Sequence, residues 1–259
     1  MNLTAENYYS NEADRHYMSV SQYKGFLKCE AAALAKLNGW KEPTPEAFLV
    51  GSYVHSAFDG TIEQFRSEHP EIYTQKKELK APFKQADEMI QTIAKDSLCM
   101  TMLTGEHETI ITATLYGVEW KARIDVLAPD NGRIVDLKTV KSIREKYWHD
   151  GRYVSFVEAY GYTTQMAVYS ELERIANRRF ERLEPFIVAV SKEDVPDKAA
   201  ICFDDETVNA ALEDVREKLP RVIDVKTGFA EPIRCENCRY CRQTKKAEIV
   251  HYLNLLEVV

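Results

Sequence analysis

Three charged side chains, Asp125, Asp136 and Lys138, lie on two segments that predict the arms of one β-hairpin. The arms, 117–126 and 133–140, flank a Pro-Asp-Asn-Gly turn. A two-residue loop at Asp-Asn places Asp125 opposite Asp136, and a loop at Asn-Gly places it opposite Lys138. Because alternate side chains of a strand share a face, both registers bring the three charges together.

The two carboxylates predict a site for a divalent cation. Directly opposed residues have Cβ atoms about 4.5–5.5 Å apart, so the carboxylates repel each other unless a cation lies between them. Asp125 and Asp136 also interrupt apolar runs, where an unpaired carboxylate would be costly. An Asp and a Lys two apart are common on a solvated strand. The two interruptions nevertheless favour a metal beside Lys138, an arrangement suited to hydrolysing a phosphodiester.

Two other pairs of residues have the i, i+4 spacing that places side chains on one face of a helix. Gly51 and His55 form the first pair, and a neutral imidazole at His55 is a candidate third ligand beside the two aspartates. Gln165 and Tyr169 form the second pair. Taken alone, each pair is more often an ordinary feature of a packed or amphipathic helix.

A Cys-x-x-Cys-x-x-Cys run lies near the end of the chain. It consists of Cys235, Cys238 and Cys241. Three thiolates at this spacing indicate a metal or a cluster, and either needs a fourth ligand. Cys29 is the best candidate, because Cys99 and Cys202 lie in apolar or strand-like segments that predict core positions. Thiolate ligands suit both zinc and an iron–sulfur cluster, and the spacing does not choose between them.

Composition indicates a globular protein of a reducing compartment. The 259 residues, 45% of them hydrophobic, suffice for a full core, and we expect a single domain over 1–259. Without a long apolar run or a signal-like N-terminus, we expect a cytoplasmic protein with no membrane partner. The net charge of −7 weakly disfavours a nucleic-acid coat protein. Two local basic segments, 138–146 and 239–246, remain candidates for contact with phosphates.

Hydrophobic spacing, capping residues and Gly or Pro breaks predict the elements that must position these residues. The predicted helices are 19–38, 45–66, 82–103, 155–177 and 205–227. The predicted strands are 108–115, 117–127, 133–140, 185–191 and 199–203, with a polar connector at 141–153.

Together, these motifs resemble the PD-(D/E)XK nuclease superfamily, most closely the phage RecE-type exonucleases and RecB-like nuclease domains. The family's Gly-x-x-x-His, strand Asp, acidic-x-Lys and Gln-x-x-x-Tyr motifs all have counterparts here, in the family's order. The matching positions are Gly51 and His55, Asp125, Asp136 and Lys138, and Gln165 and Tyr169. The resemblance covers nearly the whole chain. It implies an α/β, restriction-endonuclease-like mixed sheet flanked by helices, with an αβββαβ core.

The resemblance also implies a metal-dependent deoxyribonuclease that uses Mg²⁺ or Mn²⁺. The implied metal ligands are His55, Asp125, Asp136 and the carbonyl of Leu137. The implied catalytic residues are Asp125, Asp136, Lys138, Gln165 and Tyr169. Lys138 would act on the attacking water or the transition state, while Gln165 and Tyr169 position Lys138 or the DNA. Glu108, entering the first predicted strand, corresponds to an additional acidic residue of these families.

The implied biological setting is phage-type recombination. The substrate would be the ends of linear double-stranded DNA, and the partner a single-strand annealing protein. Ring-forming relatives imply a homo-oligomer. Two alternative functions stay open: a CRISPR-adaptation-like or repair nuclease with an iron–sulfur cluster, and a non-catalytic DNA-binding module on the same fold. The intact His, Asp, Asp and Lys set argues against the second alternative.

Members of the superfamily that carry a cluster join one early cysteine to three late ones around a 4Fe–4S cluster. The resemblance therefore implies such a cluster here, with zinc as the alternative. The implied ligands are Cys29, Cys235, Cys238 and Cys241. The second and third late cysteines of those members are usually farther apart in sequence than Cys238 and Cys241 are.

Overall fold

The structure is a computed structural model that describes residues 1–43, 45–149 and 151–253. The chain forms two compact units. One, here called the sheet unit, is Thr44–Glu213, and the other, the helical unit, combines Met1–Pro43 with Asp214–Val259. The expectation of a single domain over 1–259 stays a prediction.

Most of the helices are short, and the strands form two sheets. The helices of the described residues are α1 (Asn11–His16), α2 (Val20–Lys28), α3 (Glu30–Leu37), α4 (Glu46–Phe58), α5 (Ile62–Glu68), α6 (Ala81–Ala94), α7 (Ser97–Met102), α8 (Phe156–Ala159), α9 (Tyr162–Ala176), α10 (Asp205–Thr227) and α11 (Arg239–Thr244). The strands are β1 (Glu106–Leu115), β2 (Val118–Ala128), β3 (Arg133–Val140), β4 (Tyr147–His149), β5 (Arg152–Val154), β6 (Glu184–Ser191) and β7 (Lys198–Cys202). Within the described ranges, no helix is long and apolar enough to cross a lipid bilayer.

The five predicted strands and the predicted helix 205–227 are confirmed, but the other four predicted helices are each broken in two. Cys29, in extended backbone with φ −166° and ψ 105°, separates α2 from α3. Glycines with positive φ follow α4 and precede α9, and the Asp96 carboxylate caps α7 by accepting a hydrogen bond from the Cys99 N–H. Hydrophobic spacing continues across such breaks, so the pattern alone did not show them. The connector predicted at 141–153 contains the β4–β5 hairpin.

A mixed sheet forms the centre of the sheet unit, as predicted. Its strand order is β1-β2-β3-β6-β7, with β3 and β6 parallel and the other neighbours antiparallel. Val135 and Leu137 of β3 belong to the apolar core formed with α4 and α6. The alternate residues Asp136 and Lys138 instead contact side chains of α9. Period-two alternation along β3 thus separates the core from the charged residues.

The loop between β2 and β3 is longer than the predicted two-residue turn. It spans 129–132, a single 3-10 turn closed by a glycine with φ 68°, a conformation that glycine adopts without a steric penalty. The pair Val126 and Val135 keeps the first predicted register, in which Asp125 lies opposite Asp136. The described β2–β3 ladder ends at that pair, so the strands separate where the two aspartates occur.

In the helical unit, charged side chains join segments that are distant in sequence. The Lys226 ammonium donates to three oxygen acceptors of the N-terminal segment at 2.7–2.9 Å. Arg221 donates to both carboxylate oxygens of Glu30, at 2.9 and 2.7 Å, and Glu30 also accepts from the Ile233 N–H at 2.7 Å. These contacts hold the C-terminal segment against the start of the chain within this unit.

Candidate active site and cysteine site

Asp136 is 2% exposed and is held by two donors of the sheet unit. Its Oδ1 accepts a hydrogen bond from Gln165 Nε2 at 2.7 Å, and its Oδ2 forms an ion pair with the Lys138 ammonium. Burial, assisted by the nearby Asp125, raises the pKa of Asp136 to about 6, although Lys138 acts in the opposite direction. The two donors explain how a carboxylate can stand within an otherwise apolar strand.

Lys138 lies between the carboxylates and an aromatic ring. Its Nζ is 5.0 Å from the ring centroid of Tyr162, a cation–π contact. Burial alone would lower the pKa of Lys138, but the Asp136 and Asp125 carboxylates reverse this and raise it. Lys138 therefore carries an ammonium at neutral pH, a group that offsets negative charge but cannot accept a proton.

Tyr162 is a site residue that sequence reasoning missed. It begins α9, three positions before Gln165, so the two side chains share a helix face. Burial raises the pKa of its phenol, and Lys138 acts against that shift. The i, i+3 spacing between Tyr162 and Gln165 is the sequence feature that could have identified Tyr162. Tyr169, one turn after Gln165, is half-buried, and its predicted positioning role stays a prediction.

Asp125 bridges the two strands at the point where their ladder ends. Its Oδ2 accepts a hydrogen bond from the Leu137 N–H at 2.8 Å and lies 3.5 Å from Nδ1 of His55 on α4. His55 therefore lies beside Asp125, and its role as a metal ligand stays a prediction. The packing of α4 against β3 does not require a glycine at position 51. A Cβ there would lie 3.5 Å from Thr139 Oγ1, an ordinary van der Waals contact.

Glu108 occupies a strained position directly across from Asp125. The β1–β2 pairs on either side place the two residues opposite each other. Its backbone has φ 55°, a left-handed conformation that costs a non-glycine residue about 1–3 kcal/mol and is concentrated at functional sites. Its carboxylate forms an ion pair with Arg123, and burial raises its pKa.

Three of these side chains fit a hard divalent cation. One donor atom from each of His55, Glu108 and Asp125 lies within 4.8 Å of the others. Carboxylate oxygens with one imidazole nitrogen are donors accepted by Mn²⁺, and the oxygens also suit Mg²⁺. Asp136 stands beside this group and not within it, since its oxygens face Gln165 and Lys138. Asp136 and the Leu137 carbonyl stay predicted ligands.

The convergence of four cysteines in the helical unit is confirmed. Their Sγ atoms all lie within 4.8 Å of one another. The four residues are Cys29, Cys235, Cys238 and Cys241. Cys29 Sγ is 3.6 Å from Cys241 Sγ and 3.7 Å from Cys238 Sγ. The break between α2 and α3 positions Cys29. The sequence predicted one continuous helix over this break, so the residue at which that prediction was wrong is also a residue of the cysteine site.

Backbone amides stabilise the sulfurs of the late cysteines. The Cys238 N–H donates to Cys235 Sγ at 3.3 Å, and the Cys241 N–H donates to Cys238 Sγ at 3.4 Å. Burial acts to raise the pKa of Cys235, but backbone N–H groups outweigh it and lower that pKa to about 6. Burial raises the pKa of Cys241 to about 12. A bound cation would favour the ionised form of the Cys241 thiol, as it does for metal-ligating thiols.

The sulfur separations fit one tetrahedral ion. With zinc–sulfur bonds of about 2.3 Å, a regular tetrahedron has edges of about 3.8 Å. The observed 3.6 and 3.7 Å are close to that value. A 4Fe–4S cluster places its own iron–sulfur core between the thiolates and holds them several ångströms farther apart. As placed here, the sulfurs are closer to the spacing of a single ion than to that of the cluster, and the cluster that the resemblance implied stays a prediction.

The two remaining cysteines differ from each other. Cys99 is buried in the core of the sheet unit, as predicted. The same prediction for Cys202 is wrong, because that residue is exposed. It is the last residue of β7, which is one of the two edge strands of the five-stranded sheet. Strand-like sequence did not distinguish an edge position from a central one.

Comparison with known proteins agrees with this geometry. The family described as "PDDEXK-like domain of unknown function (DUF3799)" matches residues 19–244. The crystal structure of a "Putative exonuclease" from Eubacterium rectale aligns with a TM-score of 0.93 and 42% sequence identity, covering 99% of this chain and 98% of that chain. No curated protein gives a significant match to the chain.

Proposed function

Since this chain belongs to the PDDEXK-like family (DUF3799), whose fold is that of a nuclease, we propose that it is a metal-dependent exonuclease of double-stranded DNA ends. The observation that carries this proposal is the gathering of His55, Glu108 and Asp125 beside the Asp136–Lys138 ion pair. Acidic ligands next to a fixed ammonium provide both charges that phosphodiester hydrolysis needs. The description of the Eubacterium rectale relative supports the exonuclease class.

The candidate site of the sheet unit, here called the oxygen-lined site, would hold Mg²⁺ or Mn²⁺. The proposed ligands are His55, Glu108, Asp125, Asp136 and the Leu137 carbonyl. When bound, such an ion lowers the pKa of a water molecule and offsets the charge that develops on the phosphate. Glu108 enters this set because of its distance from His55 and Asp125.

The chain's own residues would orient the substrate and balance its charge. Held by Asp136 and by the Tyr162 ring, the Lys138 ammonium would neutralise the transition state, since an ammonium cannot deprotonate water. Gln165 fixes the Asp136 carboxylate through a 2.7 Å hydrogen bond, so its role is positioning. Phage-type recombination, an annealing partner and a homo-oligomer are proposed on resemblance alone.

Digestion of end-labelled linear DNA and of covalently closed circular DNA tests this proposal. With Mg²⁺ or Mn²⁺, we expect stepwise release of nucleotides from the linear substrate and no cleavage of the circle. The Asp125→Asn variant is the matched control for contaminating nucleases. Cleavage of the circle would overturn the exonuclease assignment. Absence of hydrolysis with either ion would favour a non-catalytic DNA-binding module.

For the four cysteines, we propose a single structural ion, zinc, in preference to a 4Fe–4S cluster. The short sulfur separations support this choice. Anaerobic purification followed by a visible absorbance scan and metal analysis tests it. We expect a colourless protein with one zinc per chain. A brown protein containing iron would overturn the proposal and favour the CRISPR-adaptation-like alternative.

A further inference from the structure

A short hairpin of the sheet unit carries two large aromatic side chains on its outer face. In this hairpin, formed by β4 and β5, Trp148 pairs with Tyr153 across the strands. Their ring centroids are 5.1 Å apart in an edge-to-face arrangement. Trp148 is 67% exposed and Tyr153 is 65% exposed. Aromatic rings gain free energy when they are buried, so an exposed pair held in contact indicates a binding surface.

The inner face of the hairpin leads to the candidate active site. Val154 is buried, and its cross-strand partner Tyr147 contacts the ring of Tyr160 with centroids 5.4 Å apart. Tyr160 contacts Tyr162 at 5.9 Å, and Lys138 Nζ lies 5.0 Å from the Tyr162 ring centroid. An unbroken row of rings therefore connects the hairpin to the lysine of the site. The outer aromatic pair lies on the opposite face of the same hairpin, since adjacent residues of a strand alternate between its faces.

The sequence around the hairpin is locally basic. Residues 141–154 contain four basic and two acidic side chains, whereas the whole chain has a net charge of −7. Lys141 and Arg144 are largely exposed, although Lys141 pairs with Glu145, and Arg144 lies 3.9 Å from Asp197. Arg152 pairs with Glu158. Positive charge attracts a phosphate backbone irrespective of sequence. Exposed rings beside such charge are the combination that binds single-stranded nucleic acid, with bases stacked on the rings.

We propose that the β4–β5 hairpin binds unpaired bases of the DNA strand that enters the site, with Trp148 and Tyr153 stacking on them. This inference rests on the proposed nuclease function. Base faces are accessible only where a duplex is opened, so the hairpin would hold the end of the duplex apart while the backbone reaches Lys138. Stacking tolerates every base, as an enzyme that degrades DNA irrespective of sequence requires.

Binding measured without hydrolysis tests the hairpin separately from catalysis. In a chelating buffer, fluorescence anisotropy would compare a labelled oligothymidylate with an abasic oligomer of equal length, which has the same phosphates but no bases. The variants are Trp148→Ala/Tyr153→Ala, the ring-conserving Trp148→Phe/Tyr153→Phe, and the control Phe180→Ala. Phe180 is 95% exposed and belongs to the same unit, outside the hairpin.

We expect the wild type, the phenylalanine variant and Phe180→Ala to bind the oligothymidylate at least about tenfold more tightly than the abasic oligomer. The double alanine variant should bind both oligomers equally. A base preference that survives in that variant, or that is missing in the wild type, would overturn the proposal.

A second readout does not depend on the folding of the alanine variant. Oligothymidylate should quench the tryptophan fluorescence of the wild type, and the single variant Trp148→Phe should lose this quenching while Trp40 and Trp120 remain. Equal quenching in both proteins would contradict the proposal. If the wild type shows base preference but never hydrolyses DNA, the nuclease proposal fails and the hairpin proposal stands. If it hydrolyses DNA but shows no base preference, the hairpin proposal fails and the nuclease proposal stands.

Discussion

The oxygen-lined site of the sheet unit and the four-cysteine site of the helical unit both gather groups that repel when ionised, but they are held in different ways. Around Asp136, a hydrogen bond from Gln165 and an ion pair with Lys138 hold the carboxylate in place before any cation binds. Around Cys29, the apolar cluster is small, and the sulfurs lie against one another. Contacts within the sheet unit therefore keep the oxygen-lined site in place without metal, whereas a bound metal would hold the four cysteines together.

Because the two sites are held in different ways, we expect substitutions in each site to change a different property of the protein. Changes in the oxygen-lined site should mainly alter hydrolysis, with only a small and pH-dependent effect on stability. Changes in the cysteine site should alter stability and leave the hydrolysis of the folded protein nearly unchanged. The following experiments either separate the two sites in this way or show that the distinction is wrong.

The largest expected effect is the loss of hydrolysis in Asp125→Asn, by about a thousandfold or more, because a proposed metal ligand loses its charge. Thermal stability in metal-free buffer should hold or rise, since the repulsion with Asp136 is relieved. Asparagine is preferred to alanine because it retains an acceptor for the Leu137 N–H. Asp130→Ala, in the exposed β2–β3 loop, is the control. Wild-type rates in Asp125→Asn would refute the site.

Lys138→Met should reduce turnover about a hundredfold or more while Mn²⁺ binding persists, because the ammonium acts on the phosphate and not on the ion. Methionine keeps most of the volume of the half-buried lysine stem. Calorimetric titration with Mn²⁺, alongside steady-state rates, separates the two properties. If metal binding disappears together with turnover, Lys138 has a structural role and our assignment is wrong.

Cys29→Ser should lower the thermal unfolding midpoint by about 10 °C, because it removes one ligand of a metal whose binding is coupled to folding. Below that midpoint, hydrolysis per folded molecule should match the wild type. Cys202→Ser is the matched control, since that thiol is exposed and lies outside the cluster. Loss of hydrolysis in folded Cys29→Ser would show that the sites are not independent.

Gln165→Ala should reduce turnover about tenfold, the value of one hydrogen bond to a charged group. The metal affinity should change less than in Asp125→Asn, because Gln165 acts only through Asp136. Tyr169→Phe, one turn along the same helix, gives the comparison. A larger loss in Tyr169→Phe than in Gln165→Ala would reverse the roles proposed for the two residues.

The smallest expected effect is a pH dependence of stability that comes from Asp136. Its pKa rises from 3.8 to about 6 on folding, so the folded state binds this proton more tightly than the unfolded chain does. The resulting stabilisation is complete below pH 3.8 and is lost as the pH rises through about 6. Metal-free wild type should therefore lose stability relative to Asp136→Asn between about pH 4 and pH 7. Parallel unfolding midpoints of the two proteins across that range would contradict it.

The sequence by itself determined the strands and supplied the candidate residues of both sites. Interrupted apolar runs identified Asp125 and Asp136, because a charge in a buried strand has few explanations besides function. Thiol spacing identified three late cysteines, since such runs are rare without metal. These signals are local, and each needs only the alternation of a strand or the repeat of a short motif.

Only the tertiary structure decided which residues meet. Glu108 lies at the site because the β1–β2 register sets it opposite Asp125. Tyr162 lies at the site because α9 packs over Lys138. The cysteine site required the break at Cys29, which hydrophobic spacing did not reveal. The tertiary structure also determined that Cys202, on an edge strand, and the aromatic pair of the β4–β5 hairpin are exposed. Contacts between distant segments depend on packing geometry, and a local pattern carries no information about the partner that packing supplies.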